Sequence, residues 1–528
     1  PCGVWTEETW CHAVDLGPKP AGVPRTATGG WRQNGRKTQT MKQGDLPETK
    51  HRSAGVRASV VALKPGNSGG AKGTQEDGCG MTKITEHTPA TVPLAQQAGA
   101  VSADVEILSR WRWVEPCAWT VRMLAALETG VKGDKWFRLF DKVFSERNLF
   151  AAFQQVARKK GAAGVDHVTT QQFERQLPDS IWELSDSLKN GTFQPQAIRR
   201  VHIPKPGTTE TRPLGIPTVR DRVVQAAIVN VIQPIFERDF AEHSYGFRPG
   251  RGCKDALRRV DQLVKQGDVH IVDADLKSYF DTIPHDRLMA RLQTKIADGS
   301  LLSLIESFLK ANILDESEQW TPEEGAPQGA VLSPLLSNIY LDPLDHLLAE
   351  KGFEMVRYAD DFVILCRTAE EAAQALEIVK HWTTENGLKL HPTKTKIVDV
   401  RTDGFDFLGY HFTGTKHWPR EKSLKKLKDT LRAKTKRTSG QSLPFIVTDV
   451  NQTLRGWFVY FQHSYRTTFP SLDKWLRGRL RSILRKRAGL RGRGRGADHQ
   501  RWPNAFFAEQ GLFSLVSAHV LAVQSSPR

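Results

Sequence analysis

RYADDFVILC, residues 357–366, sets two adjacent carboxylates, Asp360 and Asp361, between runs that otherwise read as apolar strand. Like charges side by side repel each other unless water or a cation lies between them. Asp is also a favoured turn residue, so the pair reads either as a solvated hairpin tip or as part of a metal site, one carboxylate at the tip and the other supporting it. A second acidic stretch bears on that choice. VDADLKSYFDTI, residues 272–283, puts Asp275 at the end of a strand that includes Val269, Ile271 and Val272. If this strand neighbours the hairpin, Asp275 and Asp360 converge on divalent cations, which prefer hard carboxylate oxygens to Cys or His. Two such ions, roughly 3.5–4 Å apart, activate an attacking 3′-oxygen and stabilise a leaving pyrophosphate. Asp273 shares a strand face with Asp275, and Asp281 is a candidate turn cap; both are secondary candidates.

Outward from the acidic pair, strands and helices interleave over about 135–415, which predicts an α/β or α+β core. The pattern is helical over about 135–160, with Phe137, Phe140, Val143 and Phe144 on one face. AIRRVHIPKP and TRPLGIP read as two short strands around the loop GTTE, followed by a helix over about 219–240. HSYGFRPGRG (243–252) is a loop, and helices are expected over 253–265, 285–297 and 300–312. GAPQGAVLSPLLSNIYLD (325–342) begins as a glycine-proline turn and runs into a helix to about 348. A helix over 369–385 and short strands near 388–390, 396–400 and 406–412 complete the core.

The chain has 528 residues and a formal charge of +17. Residues 420–496 hold 21 Lys or Arg against four carboxylates, while the remainder balances at 54 of each sign. A basic surface this localised is the footprint of a polyanion, with nucleic acid foremost. The same segment reads as helices alone: PSLDKWLRGRLRSILRKR lines up Leu472, Trp475, Leu476, Leu480, Ile483 and Leu484 as one apolar stripe. Residues 1–80 contain 14 of the 42 glycines and no lasting period, so they are expected to be disordered or a readthrough extension, with Met81 a plausible start and 81–134 a lead-in. No apolar run approaches 18 residues and no signal-peptide pattern is present, which argues against a membrane partner and for the cytosol. Six scattered cysteines support neither a disulfide framework nor a zinc knuckle.

Several motifs carry a family resemblance. DLKSYF (275–280), GAPQGAVLSPLLSNIYLD (325–342), YADD (358–361) and FLGYHF (407–412) resemble, in that order, successive motifs of reverse transcriptases. FDKVF, GAAGVDHVT, IPKPGTTETRPLGIPTVRDRVVQ, SYGFRPGRGC and LRGWFVYFQ are similar to the reverse transcriptase–maturases of bacterial group II introns, over about 135–520. The resemblance implies an α+β right-hand polymerase, with fingers and palm over 135–415, a basic helical thumb or maturase domain over 420–496, and a tail over 497–528. It implies two Mg2+ ions on Asp275, Asp360 and Asp361. Lys205 and Arg212 would hold the incoming triphosphate, Phe280 would close on the sugar C2′, Gln328 would lie over the nucleotide, and FLGY would grip the primer. In the thumb, Arg485, Lys486 and Arg487 would contact RNA, while Trp457, Phe458, Tyr460, Phe461 and Trp475 are mostly core; RGRGRG (491–496) reads as a cationic linker.

The implied partners are group II intron RNA, a template–primer duplex, target DNA and dNTPs, and the implied work is splicing assistance and copying of the intron during retrohoming. Two other readings remain open: a splicing-only RNA-binding maturase, and a domesticated reverse transcriptase in phage defence or CRISPR spacer acquisition. Many relatives carry a C-terminal endonuclease with paired cysteines. Here no cysteine follows Cys366, and His499 and His519 stand alone, so a protein lacking that domain is expected.

Overall fold

The computed structural model describes residues 104–204, 211–492, 494 and 496–525. The readings of residues 1–80, Met81 and Lys205, and of residues 493 and 495 in the RGRGRG run, lie outside the described residues. Helices α1 (Val121–Thr129), α2 (Glu146–Arg158) and α3 (Leu177–Lys189) come first. The expected continuous helix over 135–160 is broken. Trp136 N donates to Lys295 O at 2.8 Å and Ala297 N donates to Trp136 O at 2.9 Å, which pulls this stretch into an extended bridge and leaves Phe137 63% exposed. Of the expected lead-in, the described part, residues 104–134, packs into the main core: Trp111, Trp119, Leu124 and Leu127 are buried, and Trp119 Nε1 reaches the Asn230 and Val231 carbonyls at 3.1 and 3.2 Å.

The chain continues through β1 (Ile198–Pro204), β2 (Thr211–Ile216), α4 (Val219–Glu237), α5 (Cys253–Gln266) and β3 (His270–Asp275). Then come α6 (His285–Gln293), α7 (Gly299–Leu309), β4 (Ile313–Asp315), β5 (Glu318–Trp320), α8 (Ser333–Glu350), β6 (Glu354–Tyr358), β7 (Asp361–Cys366), α9 (Ala369–Glu385) and β8 (Lys396–Asp399). The finger strands form a sheet ordered β2-β1-β4-β5, in which β1 and β4 run parallel. ILD and EQW are too short to show a strand period, so β4 and β5 have no signature in the sequence.

The palm sheet is ordered β6-β7-β3-β8 with antiparallel neighbours throughout. Side chains alternate across it. Val272, Ala274, Phe362 and Ile364 join the core that includes Val223, Leu335 and Val379 from α4, α8 and α9. Ile271, Val363 and Leu365 face the other way, onto Ala256, Val260 and Leu263 of α5. The strand expected at 388–390 is only a bridge from Leu276 to Leu390. Strands β9 (Phe405–Phe407), β10 (Tyr410–Thr413) and β11 (Lys416–Pro419) make a separate sheet ordered β11-β10-β9. The expected 406–412 strand splits at Leu408 and Gly409, whose φ angles of 46° and 81° end one strand and start the next.

Helices α10 (Glu421–Lys434), α11 (Leu443–Phe461), α12 (Thr468–Arg487) and α13 (Leu515–Ser525) share one apolar cluster containing Leu427, Val450, Leu472, Leu480, Phe507 and Leu515. Residues beyond the expected boundary at 496, Phe507 and Leu515 among them, thus pack into the same cluster as the thumb helices. The carboxylate of Asp473 on α12 accepts from Ser514 Oγ at 2.9 Å and Leu515 N at 3.2 Å, capping the start of α13.

Candidate active site

Asp275 and Asp361 are direct cross-strand partners at the adjoining ends of β3 and β7. Period-two alternation puts both on the face of Ile271, Val363 and Leu365, with Asp273 two residues further in. Tyr358 pairs with Asp361, so Ala359 and Asp360 alone form the turn between β6 and β7. Ala359 takes φ 60°, the sign that a primed two-residue hairpin requires at its first position and one that L-residues seldom adopt. Asp360 follows it and is buried.

Two features hold this turn. Arg357, wholly buried, donates from Nη1 to Ala359 O at 3.0 Å and to Asn338 Oδ1 at 2.9 Å, while its Nε donates to Asp345 Oδ1 at 2.8 Å. From the other side the SYGFRPG loop docks along β6: Tyr245 N donates to Arg357 O at 2.8 Å. A Cβ on Gly246 would sit 2.2 Å from Ala359 N, so only glycine permits this approach.

The carboxylates resist ionising together. Burial, followed by the charge of Asp275, pushes the Asp360 pKa up to about 6, against the opposing pull of Arg212 and Arg357. Asp273 is also pushed up to about 6, by burial and then by the charges of Asp275 and Asp406, with Lys396 opposing. Asp361 is raised well above the carboxylate range, first by withdrawal from water and then by Asp360, Asp273 and Asp275, with Arg420 opposing. A cation relieves such crowding, and one side-chain cation is in place: Lys394 Nζ lies 2.7 Å from Asp275 Oδ2. His391 N donates to Asp275 O at 2.7 Å, so the HPTKTK loop crosses the strand end. Among the described residues no three acidic, His or Cys side chains stand in a ready-made metal-ligand arrangement. The donor set, carboxylates alone and mutually repelling, nevertheless fits hard divalent cations.

The nucleotide-side candidates are spread more widely. Arg212, half-buried on β2, is near enough for its charge to act on Asp360. Phe280 is 6% exposed, packs edge-on against Tyr279, and lines a cavity of about 400 Å3 with Gln328, Gly215, Arg200 and Trp320. Gln328 O accepts from Gly215 N at 2.6 Å, and a Cβ on Gly329 would meet Gly215 O at 2.4 Å. The small residue of PQG thus serves a close backbone contact with the finger strand.

Within the expected RNA-contact cluster the three side chains differ in their surroundings. Arg485 turns inward, with Nη1 2.9 Å from Asp498 Oδ2 and Nε donating to Arg491 O at 2.8 Å, and Arg487 donates to Gln441 O. Lys486 is exposed. Phe458, Tyr460 and Phe461 are buried, in keeping with a core role.

Sequence reasoning missed Lys394, Arg357 and Asp345. A charged residue inside the apolar run EMVRYADDFVILC was a usable signal for Arg357. Nothing local marks Lys394 or Asp345, because their partners lie on other elements.

With this geometry in view, residues 203–412 match the family of reverse transcriptases (RNA-dependent DNA polymerases), and residues 424–502 match the group II intron maturase-specific domain. Protein YkfC of Escherichia coli (strain K12) is 36% identical over 314 residues, covering 52% of this chain and 82% of that protein. Group II intron-encoded protein LtrA of Lactococcus lactis subsp. cremoris is 36% identical over 215 residues, 40% of this chain and 35% of LtrA, so the chain spans about a third of that relative. A chain of a solved Cas6-RT-Cas1–Cas2 complex aligns at 27% identity over 47% of this chain and 41% of its own, with a TM-score of 0.32. The fold and site define an RNA-directed DNA polymerase, a class that generally uses divalent metal ions. The chain belongs to the group II intron type of reverse transcriptase with a maturase domain.

Proposed function

We propose that the chain copies group II intron RNA into DNA at Asp275, Asp360 and Asp361, which hold two Mg2+ ions, and that its basic helical domain grips the intron RNA and assists splicing. The observation that carries this reading is the register of β3 against β7, with Asp275 opposite Asp361 and beside Asp360. When bound, the ions supply activation of the primer 3′-hydroxyl and charge neutralisation at the leaving pyrophosphate. The carboxylates provide the hard oxygens. Arg212, together with Lys205, offsets triphosphate charge, and Phe280 and Gln328 bound the space for sugar and base. Retrohoming into target DNA, with dNTPs drawn from the bacterial cytosol, completes the proposal.

Asp360→Asn is the test, with primer extension and intron-RNA binding measured on one preparation. Extension should fall by roughly 1,000-fold or more, with RNA binding intact. Full extension by the variant removes the metal-site reading. Wild-type protein that supports splicing without extending a primer moves the reading to a splicing-only maturase.

A further inference from the structure

A second cavity, of about 300 Å3, lies where α5, the β10–β11 hairpin and the end of α11 meet, and it shares no residue with the carboxylate site. Lys254, Arg258, Asp261 and Lys265 line it at helical spacing from α5, Lys416 and His417 from the hairpin, and Tyr460, His463 and Tyr465 from the end of α11 and the loop beyond. Four cationic side chains face one carboxylate, and that carboxylate is already engaged: Asp261 lies 2.6 Å from Lys265 Nζ and 3.6 Å from His417 Nδ1. The Tyr410 and Tyr460 hydroxyls are spent on backbone carbonyls, at 2.7 Å each, so those rings form a fixed wall. Tyr465 is half-buried, and Lys416 Nζ stands 4.7 Å from its ring centroid. Arg258 also pairs with Asp255 at 2.9 Å. The surrounding protein and then the positive charges of Lys254 and Arg258 hold the His463 imidazole below its ordinary pKa.

The cavity volume falls at the lower end of small-ligand sites, ~300 Å3, enough for one nucleotide unit and little more. Cations on one wall and an aromatic face on another are the two elements with which proteins hold an unpaired nucleotide. Tyr460, His463 and Tyr465 fall within residues 424–502, the maturase-specific segment. We propose that this cavity holds one unpaired nucleotide of RNA outside the polymerisation cleft, its phosphate among Lys254, Arg258 and Lys416 and its base against Tyr465. The assignment to RNA rests on the intron-binding reading above.

The experiment uses the full chain with its cleft saturated by template–primer duplex, titrated with a fluorescent single-stranded RNA hexamer. The hexamer should still bind, and Lys254→Gln with Lys416→Gln should weaken it about tenfold, while primer extension stays at the wild-type level. Tyr465→Leu should weaken it as well, with an unchanged thermal melt reporting an intact fold. Hexamer binding unaffected by both variants, or abolished by the duplex alone, overturns the proposal and leaves the polymerase reading standing. Equal affinity for a single-stranded DNA hexamer of the same sequence, titrated in parallel, overturns the choice of RNA. Full displacement by equimolar AMP would show a free-nucleotide site instead.

Discussion

Arg357 and Asp345 form a buried ion pair directly behind the β6–β7 turn, and the same guanidinium holds the carbonyl of Ala359, the residue at positive φ. Removing one partner of such a pair strands a charge in the core and costs about 3–5 kcal/mol. Arg357→Met should therefore lower the denaturation midpoint sharply. Arg357→Lys keeps a charge but not the planar fork; it should melt closer to wild type yet lose primer extension as the turn relaxes. Paired melting curves and single-turnover extension rates check both.

Lys394 pairs with the Asp275 carboxylate, the one proposed to hold a divalent ion. Lys394→Gln should lower the Mg2+ concentration for half-maximal extension by about three- to tenfold, in line with the ~1 kcal/mol of a half-exposed pair. Mg2+ titration of extension rates gives the answer. A half-saturation point at or above that of wild type would show that the lysine does not compete with the ion.

Phe280 stands in the cavity wall beside Gln328. Phe280→Val removes ring atoms next to the proposed sugar position and should raise the ratio of ribonucleotide to deoxyribonucleotide incorporation roughly tenfold or more. Comparing kcat/KM for matched rNTP and dNTP substrates measures it, and an unchanged ratio would return Phe280 to a packing role.

Arg485 and Lys486 are adjacent in sequence but opposite in expected effect. Arg485→Ala leaves Asp498, 3% exposed, without its guanidinium and should cost about 3 kcal/mol. Lys486→Ala should leave stability alone and reduce the slope of log affinity against log salt for intron RNA by about 1. Urea denaturation and KCl titrations separate the two.

Asp221, 1% exposed near the start of α4, has its pKa pushed from 3.8 up to about 6 by burial. Between those values the folded chain holds a proton that the unfolded chain has released, so this site's contribution to stability falls as pH rises from about 4 to about 6. The full penalty, about 3 kcal/mol at most, applies above that window. Asp221→Asn keeps the acceptor for Gln196 N, which lies at 3.0 Å in the wild type. The variant should match wild type at pH 4 and exceed it at pH 7.5, as measured by urea denaturation.

Much of the site was legible in the chain because its signals are local. Asp275 ends an apolar strand, Asp360 and Asp361 interrupt another, and the basic stripe of 420–496 is a matter of counting charges. The strong helices, such as Ala369–Glu385 with its Thr368 capping box, carry their start signals in a few adjacent residues. Three-residue strands carry no such signal, and β4 acquires its place by pairing with β1 on one side and β5 on the other.

The sequence by itself determined which residue types the chemistry would use, the order of the motifs that identify the family, and the segment that holds the net charge. Tertiary structure alone decided that Asp361 faces Asp275 across two strands, that Lys394 reaches over from another loop, and that Arg485 is spent on Asp498. The reason is physical. Composition and periodicity act over a few residues, whereas strand register and charge pairing are settled between segments distant along the chain, where burying one surface dictates which side chains meet on the other.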